Sequence, residues 1–303
     1  MTLETGRVVA SFGRTVRVED ERAILIDCGV FGRRLEIVCA DRVHFERSSE
    51  KEHGIVHELL PRSSFISRIN SRGGAEPVAA NLNQVIVVLA HPPLPDYFLV
   101  DRYLAAAEAA HVPAIIVLNK VDAGSWRSEE CRDELETWRK LGYATAEVSA
   151  HTGIGLDALV ESLRNHTSLL VGQSGVGKSS ILNALAPAAA AQIREIVTKT
   201  GKGSHTTTRT ALYKLRGGGE LLDSPGVRDF APGPDLLHNA ADGFLEITAA
   251  AAGCRFADCR HDAEPGCAVH AAVESGDIDE RRYRSFTQLR DLIDKLTSRR
   301  RGY

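Results

Sequence analysis

Two rhythms of apolar and polar positions divide the chain. Over residues 1 to about 72, apolar and polar residues alternate in short runs, RVVASF, RTVRVE, AILIDC, RLEIVC, RVHFER and IVHELL, broken by Gly, Asp and Glu. Strict alternation puts one face of a strand in a core and the other in water. About six such strands in so short a stretch predict a small OB-like β-barrel. An oligonucleotide is the natural partner of such a barrel, with docking on protein as the plainer alternative.

From residue 75 the apolar runs become continuous: 84-QVIVVLA-90, 114-AIIVLNK-120, 168-SLLVGQ-173, 211-ALYKL-215 and 220-ELLDSP-225. Between them lie helical periods at 99-LVDRYLAAAEAA-110, 128-SEECRDELETWRKLG-142 and 156-LDALVESLRN-165, with a short strand at 144-ATAEVSA-150. Strands buried on both faces and separated by helices predict a multi-domain α/β chain whose central sheet is mostly parallel. After residue 231 the strands stop and helical stretches surround a cysteine cluster; the alanine runs at 188–191 and 249–252 read as packed helix. The expected division is a barrel at 1–72, a nucleotide domain at 73–230 and a helical metal-binding domain at 231–303.

The formal charge of -3 over 303 residues excludes a whole-protein electrostatic binder of nucleic acid, but charge is unevenly distributed. The last 23 residues carry eight Lys and Arg against two Asp, ending in Arg299-Arg300-Arg301, which suits contact with RNA phosphates. No segment approaches the ~20 apolar residues of a membrane span, and the first residues lack a signal-peptide core, so a soluble cytoplasmic protein is expected. Of six cysteines, three crowd between 254 and 267, which suggests a metal rather than disulfides.

Gly172-Gln173-Ser174-Gly175-Val176-Gly177-Lys178-Ser179 fits the phosphate-loop pattern between a strand and a helix, with Ser180 following. Its glycines let successive N–H groups face phosphates; Lys178 would reach the β and γ phosphates and Ser179 would ligate Mg²⁺. Asn119-Lys120-Val121-Asp122 ends another buried strand at the edge where open α/β sheets bind ligands. Asp122 can accept from N1–H and the N2 amine of guanine. Adenine would leave it unpaired. By itself the tetrapeptide could equally be a strand-ending turn with Asp as a helix cap. Ser149-Ala150 follows a further strand, where its backbone could meet guanine O6.

Asp223-Ser224-Pro225-Gly226 closes a strand with an acid and a tight turn; Asp223 can support Mg²⁺ through water and the Gly226 N–H can sense a γ phosphate. The run His205-Thr206-Thr207-Thr208 offers hydroxyls to the same ion, Thr207 first and Thr208 second. Val227 stands where many such enzymes place a water-orienting glutamine, so slow turnover is expected and His205 is the candidate for that task. Cys254, Cys259, His261 and Cys267 make a closed tetrahedral donor set for one structural Zn²⁺, with His270 a poorer fourth ligand.

The order of these motifs, base reader, Ser-Ala, phosphate loop, switch threonines and D-x-x-G, is a rotation of the usual guanine-nucleotide order and implies a circular permutation. With the barrel, GQSGVGKSS, GKGSHTTT, DSPGV and CRFADCRHDAEPGCAV, the whole chain resembles the ribosome small-subunit-dependent GTPase A family. The resemblance implies a GTP hydrolase of late 30S maturation, binding GTP and GDP, acting on the 30S subunit and its 16S rRNA, stimulated by that particle, with no membrane partner and expected to be monomeric. It also implies nucleotide ligands at Asn119 to Asp122 and Gly172 to Ser180, and zinc ligands at Cys254, Cys259, His261 and Cys267. One departure is Ala40, opening the turn Ala40-Asp41-Arg42-Val43 where many relatives have glycine. The rival readings are an RNA-binding assembly module that uses the nucleotide domain mainly as a timer, and an ATP-dependent enzyme.

Overall fold

The computed structural model describes residues 3–12, 15–31, 35–48, 53–70, 73–124, 129–187, 210–223, 230–237, 239–262 and 264–301. Strands β1 (Glu4–Ser11), β2 (Thr15–Asp20), β3 (Leu25–Val30), β4 (Arg42–Arg47) and β5 (His53–Leu59) run in the spatial order β1-β2-β3-β5-β4. Pairing of β4 with β1 closes them into a five-stranded barrel. Alternation along each strand sends Val8, Val16, Val18, Ile26, Cys28, Val43, Phe45 and Val56 into its interior.

The run RLEIVC, expected as a strand, is irregular over its described residues and turns at Cys39. Its alternation belongs to a covering loop: Ile37 and Cys39 are buried, while the Val38 N–H goes to the Asp41 carboxylate and the Ala40 N–H to Val8 O. Periodicity reports which side chains are buried, not where backbone N–H groups find partners. Ala40 adopts φ +70, a conformation that glycine takes at lower cost. The turn is pinned by Asp41, fully buried and bonded to Arg62 at 2.8 Å. A sixth strand, β6 (Phe65–Ile69), lies outside the barrel and pairs antiparallel with β7 (Ala75–Ala80).

The central sheet runs β10 (Ala144–Glu147), β9 (Ala114–Asn119), β8 (Gln84–Ala90), β11 (Thr167–Gly172), β13 (Glu220–Asp223), β12 (Thr210–Lys214), with β12 alone antiparallel to its neighbour. All seven residues of β8 are buried, as a central strand covered on both faces requires. Helices α1 (Tyr97–Ala109) and α2 (Glu129–Lys140) pack Tyr103, Leu104, Leu135 and Trp138 on one face. On the other, α3 (Leu156–Ser162) and α4 (Lys178–Leu185) bring Leu159, Ile181 and Leu182. Strand β12 then pairs with β1, Ala10 opposite Ala211, so barrel and central sheet form one continuous eleven-stranded sheet. Lys214 bonds Glu19 at 2.6 Å, and Arg7 ion-pairs with Glu220 across the same junction.

The C-terminal helices α5 (Leu245–Ala251), α6 (Ala268–Ser275) and α7 (Glu280–Arg301) enclose Phe244, Ile247, Val269, Phe286 and Leu289, and Ala105 of α1 completes that core. A buried ion network fixes the junction. Asp101 of α1 accepts from Trp138 Nε1 at 3.0 Å and Arg282 Nη1 at 2.6 Å, and Arg282 forks onto Glu246 at 2.7 and 3.1 Å. Asp101 and Arg282 are both fully buried. Removing Arg282 strips the buried Glu246 of its partner and leaves Asp101 to Arg281 and Trp138 alone, so Arg282→Ala is expected to cost about 3–5 kcal/mol in denaturant unfolding. A loss below about 1 kcal/mol, the scale of an exposed pair, would remove the network from the stability of this junction.

Candidate functional site

The chemistry converges at the carboxyl edge of the central sheet. Strand β11 ends at Gly172, whose φ of 140 and position against Val88 O leave no room for a Cβ. The chain then curls through Gly175 and Gly177, both at positive φ, into α4. The first N–H groups of a helix have no intrahelical acceptor, so this loop and the start of α4 make a ready anion cradle. Lys178 folds back so that Nζ donates to Gly172 O at 2.7 Å and Gln173 O at 2.8 Å. Of its three N–H donors, one remains for a phosphate oxygen. Burial lowers the Lys178 pKa, opposed by Asp223, and burial raises that of Asp223, opposed by Lys178. Each therefore favours the charged form of the other against the cost of burial. Ser179 and Ser180 are exposed at its mouth.

Strand β9 delivers Asn119 beside this loop. Its amide donates to Val176 O at 2.9 Å and accepts from Ala150 N at 3.1 Å, while the residue is only 2% exposed. Asn119 is thus a strut that joins the phosphate loop to the Ser149-Ala150 loop. A Cβ on Gly177 would collide with the same amide, so this glycine serves the close approach of the two motifs as well as the turn. Lys120, at φ 64, crosses the loop and donates to Gly175 O at 2.7 Å and Pro92 O at 3.0 Å. Asp122 is exposed on the following turn, and a hydrogen bond from Ser149 holds its carboxyl below the ordinary value. Ser149 itself is fully buried and its Oγ accepts from Thr152 N at 3.0 Å.

Two supports of the loop have no signature in the sequence. The Asp96 N–H donates to the Gln173 side chain at 3.2 Å, and Pro93 packs at 3.8 Å from the Cβ position of Gly175. The bare run HPPLPD carries no periodic signal that would have assigned it to the phosphate loop. His205, Thr207, Thr208, Gly226 and Val227 lie outside the described residues. Their flanks do not: β12 starts at Thr210 and β13 ends at Asp223.

A second cluster lies in the C-terminal helices. The ligand atoms of Cys254, Cys259, His261 and Cys267 fall within 4.8 Å of one another. A tetrahedral zinc with Zn–S of about 2.3 Å and Zn–N of about 2.0–2.1 Å needs S···N near about 3.6 Å and S···S near about 3.8 Å. His261 Nδ1 lies 3.5 Å from Cys254 Sγ and 3.6 Å from Cys267 Sγ, and the two sulfurs are 4.0 Å apart. The donor set can therefore hold a metal ion, with no ligand position left for catalysis. His270 is turned away, its Nε2 3.0 Å from Tyr283 Oη, which donates to His261 O at 2.7 Å.

The model of the RsgA GTPase family matches residues 59–232, more than half the chain. The chain belongs to the RsgA GTPase family. A small ribosomal subunit biogenesis GTPase RsgA from Pseudomonas aeruginosa is 41% identical over 287 residues, covering 94% of this chain and 84% of that protein. The protein of that name from Chromohalobacter salexigens is 42% identical over 298 residues, covering 97% and 86%. Among solved structures, YjeQ from Thermotoga maritima aligns with TM-score 0.66 and 29% identity over 98% of this chain and 99% of its own. YloQ, described as a circularly permuted GTPase, aligns with TM-score 0.68 and 25% identity over 98% and 96%. The RsgA pattern accounts for the strand order seen here, in which the Asn119 strand precedes the phosphate-loop strand yet both end at one edge.

Proposed function

We propose that this RsgA-family chain hydrolyses GTP in late maturation of the 30S subunit, turning over slowly alone and faster on the particle. The observation that supports it most is the Asn119 strut, which ties a guanine-reading turn to a phosphate cradle. Asp122, held ionised by Ser149, accepts from the guanine edge; Gly172 to Ser180 and Lys178 receive the phosphates. Bound Mg²⁺ neutralises charge on the β and γ phosphates, and Ser179, Thr207 or Thr208, and Asp223 through water, are the residues that would hold it. Burial pushes the Asp223 carboxyl up, and the Lys178 ammonium opposes that rise. Val227 offers no water-orienting amide, so the particle completes the site, with His205 as the chain's own contributor.

The Cys254, Cys259, His261 and Cys267 cluster holds one structural zinc, which stiffens the C-terminal domain. The basic C-terminus and the barrel contact 16S rRNA, and the chain works as a cytoplasmic monomer. No described helix is long and apolar enough to cross a membrane. GTP turnover measured with purified 30S, 50S and no particle tests the proposal: selective stimulation by 30S is expected, and equal rates in all three would reject it. Asp122→Asn is expected to weaken GTP and favour xanthosine triphosphate by roughly 10²-fold or more, since an amide donates where xanthine carries its extra carbonyl. Competition binding that shows unchanged base preference would take Asp122 out of the site.

A further inference from the structure

The buried face of α1 carries Tyr103, only 3% exposed, in the same core as Val171 of β11 and Phe230. Its ring stacks on that of Phe230, with centroids 4.6 Å apart and planes 21° from parallel. Burial pushes the phenol up, opposed by the Arg102 charge and by a hydrogen bond from the Gly172 backbone. One side chain thus touches two places that bear on the reaction. Gly172 opens the phosphate loop, and Phe230 receives the chain as it leaves Asp223-Ser224-Pro225-Gly226.

The chain is fixed on both sides of that motif. Asp223 closes β13, opposite Leu170 of β11. Beyond Phe230 the chain is laid along β6: the Ile69 N–H donates to Ala231 O at 2.9 Å, the Gly233 N–H donates to Ser67 O at 3.0 Å, and Ser67 Oγ donates to the Asp235 carboxylate. A Cβ on Gly233 would collide with Ser67 Oγ, so the approach is close. The start of α1 is tied to the phosphate loop in its turn, through the Asp96 N–H and the Gln173 side chain. An aromatic pair in a core is ordinary packing, and a phenylalanine at 103 would supply it. A buried hydroxyl costs free energy unless it finds a partner, and this one finds the first residue of the phosphate loop.

We propose that Tyr103 is a positioning residue for GTP hydrolysis: its ring holds the exit of the D-x-x-G motif at Phe230, its hydroxyl holds the start of the phosphate loop, and the two together fix the spacing between these loops. The role rests on the reading of Gly226 as the group that meets the γ phosphate. With GDP, the phosphate loop alone grips the phosphates. With GTP, both loops must close on one ligand, so only then does their spacing enter the affinity and the rate.

The test uses the full-length protein with Tyr103→Phe, which keeps the ring and removes the hydroxyl, with Phe230→Leu, which keeps apolar bulk and removes the flat ring, and with both. Equilibrium binding of GDP and of a non-hydrolysable GTP analogue is measured beside basal turnover and thermal unfolding. Each single variant is expected to lower analogue affinity and kcat by roughly 2- to 12-fold, the worth of one hydrogen bond or one aromatic pair, and to leave GDP affinity within about twofold. The double variant is expected to lose no more than the worse single, since cutting either link frees the spacing. Equal weakening of GDP and analogue, or unchanged analogue affinity and kcat with or without a lower unfolding midpoint, assigns the pair to packing and overturns the proposal. Additive losses in the double variant overturn it equally. Gly226→Ala leaves Tyr103 and Phe230 in place and tests the underlying reading separately. Wild-type analogue affinity there rejects Gly226 as the γ-phosphate group and the proposal with it, whereas a selective loss there and none in the Tyr103 and Phe230 variants overturns the positioning role alone.

Discussion

Lys178→Ala is expected to reduce GTP turnover by on the order of 10²- to 10³-fold, both alone and on the 30S particle. Removing one preorganised charge donor from a site that stabilises developing negative charge has that scale. The structure adds a reason for the effect to be clean. Lys178 Nζ is carried by two carbonyls of its own loop, so its deletion frees Gln173 O, which is partly exposed, and Gly172 O at the buried end of β11, and disturbs no packed side chain of the core. Folding should therefore survive, and the loss should appear in kcat. Burial lowers the Lys178 pKa with Asp223 opposing it, and the substitution also leaves Asp223 without its counter-charge. Steady-state turnover and nucleotide binding, measured together, check this: near wild-type kcat would remove Lys178 from the reaction.

Loss of the metal is expected to have the largest effect on stability. Structural zinc in small Cys/His sites contributes about 10–16 kcal/mol of apparent binding free energy. The loop that carries Cys254, Cys259 and His261 has few apolar anchors besides Phe286, which lies 6.0 Å from the His261 ring. Chelation or Cys259→Ala should therefore melt this loop and loosen α6, while α7 stays latched to α1 through Arg282 and Asp101. The consequence is a partial loss: limited proteolysis should cut near the cysteine loop before it reaches the central sheet. Elemental analysis should return one zinc per chain in the wild type and none after chelation. A Cys259→Ala protein with full metal content and unchanged proteolysis would refute the ligand set.

Much of the molecule was legible before any coordinates. Continuous burial of 84-QVIVVLA-90 announced a central strand, because a strand covered on both faces has no polar side to show. Glycines at 172, 175 and 177 announced a tight turn from strand into helix, because they take positive φ at little cost. Cysteine and histidine spacing announced a four-ligand cluster, because donor chemistry is local to a short loop. The order of the motifs announced the permutation, since the same parts can close one sheet when the chain begins elsewhere.

What sequence could not decide concerns partners far apart along the chain. RLEIVC alternates like a strand but plugs the barrel, because alternation reports burial and is silent on backbone pairing. Asn119 read as part of a base reader; only folding shows it bracing Val176 and Ala150, and thereby why position 177 admits no side chain. Asp101, Glu246 and Arg282 are ordinary helix charges by sequence, since nothing local says that packing will bury them against one another. The pairing of β1 with β12, which joins the barrel to the neighbour of β13, likewise rests on two edges that meet only in three dimensions. Local chemistry determined the motifs; long-range packing decided how they are held.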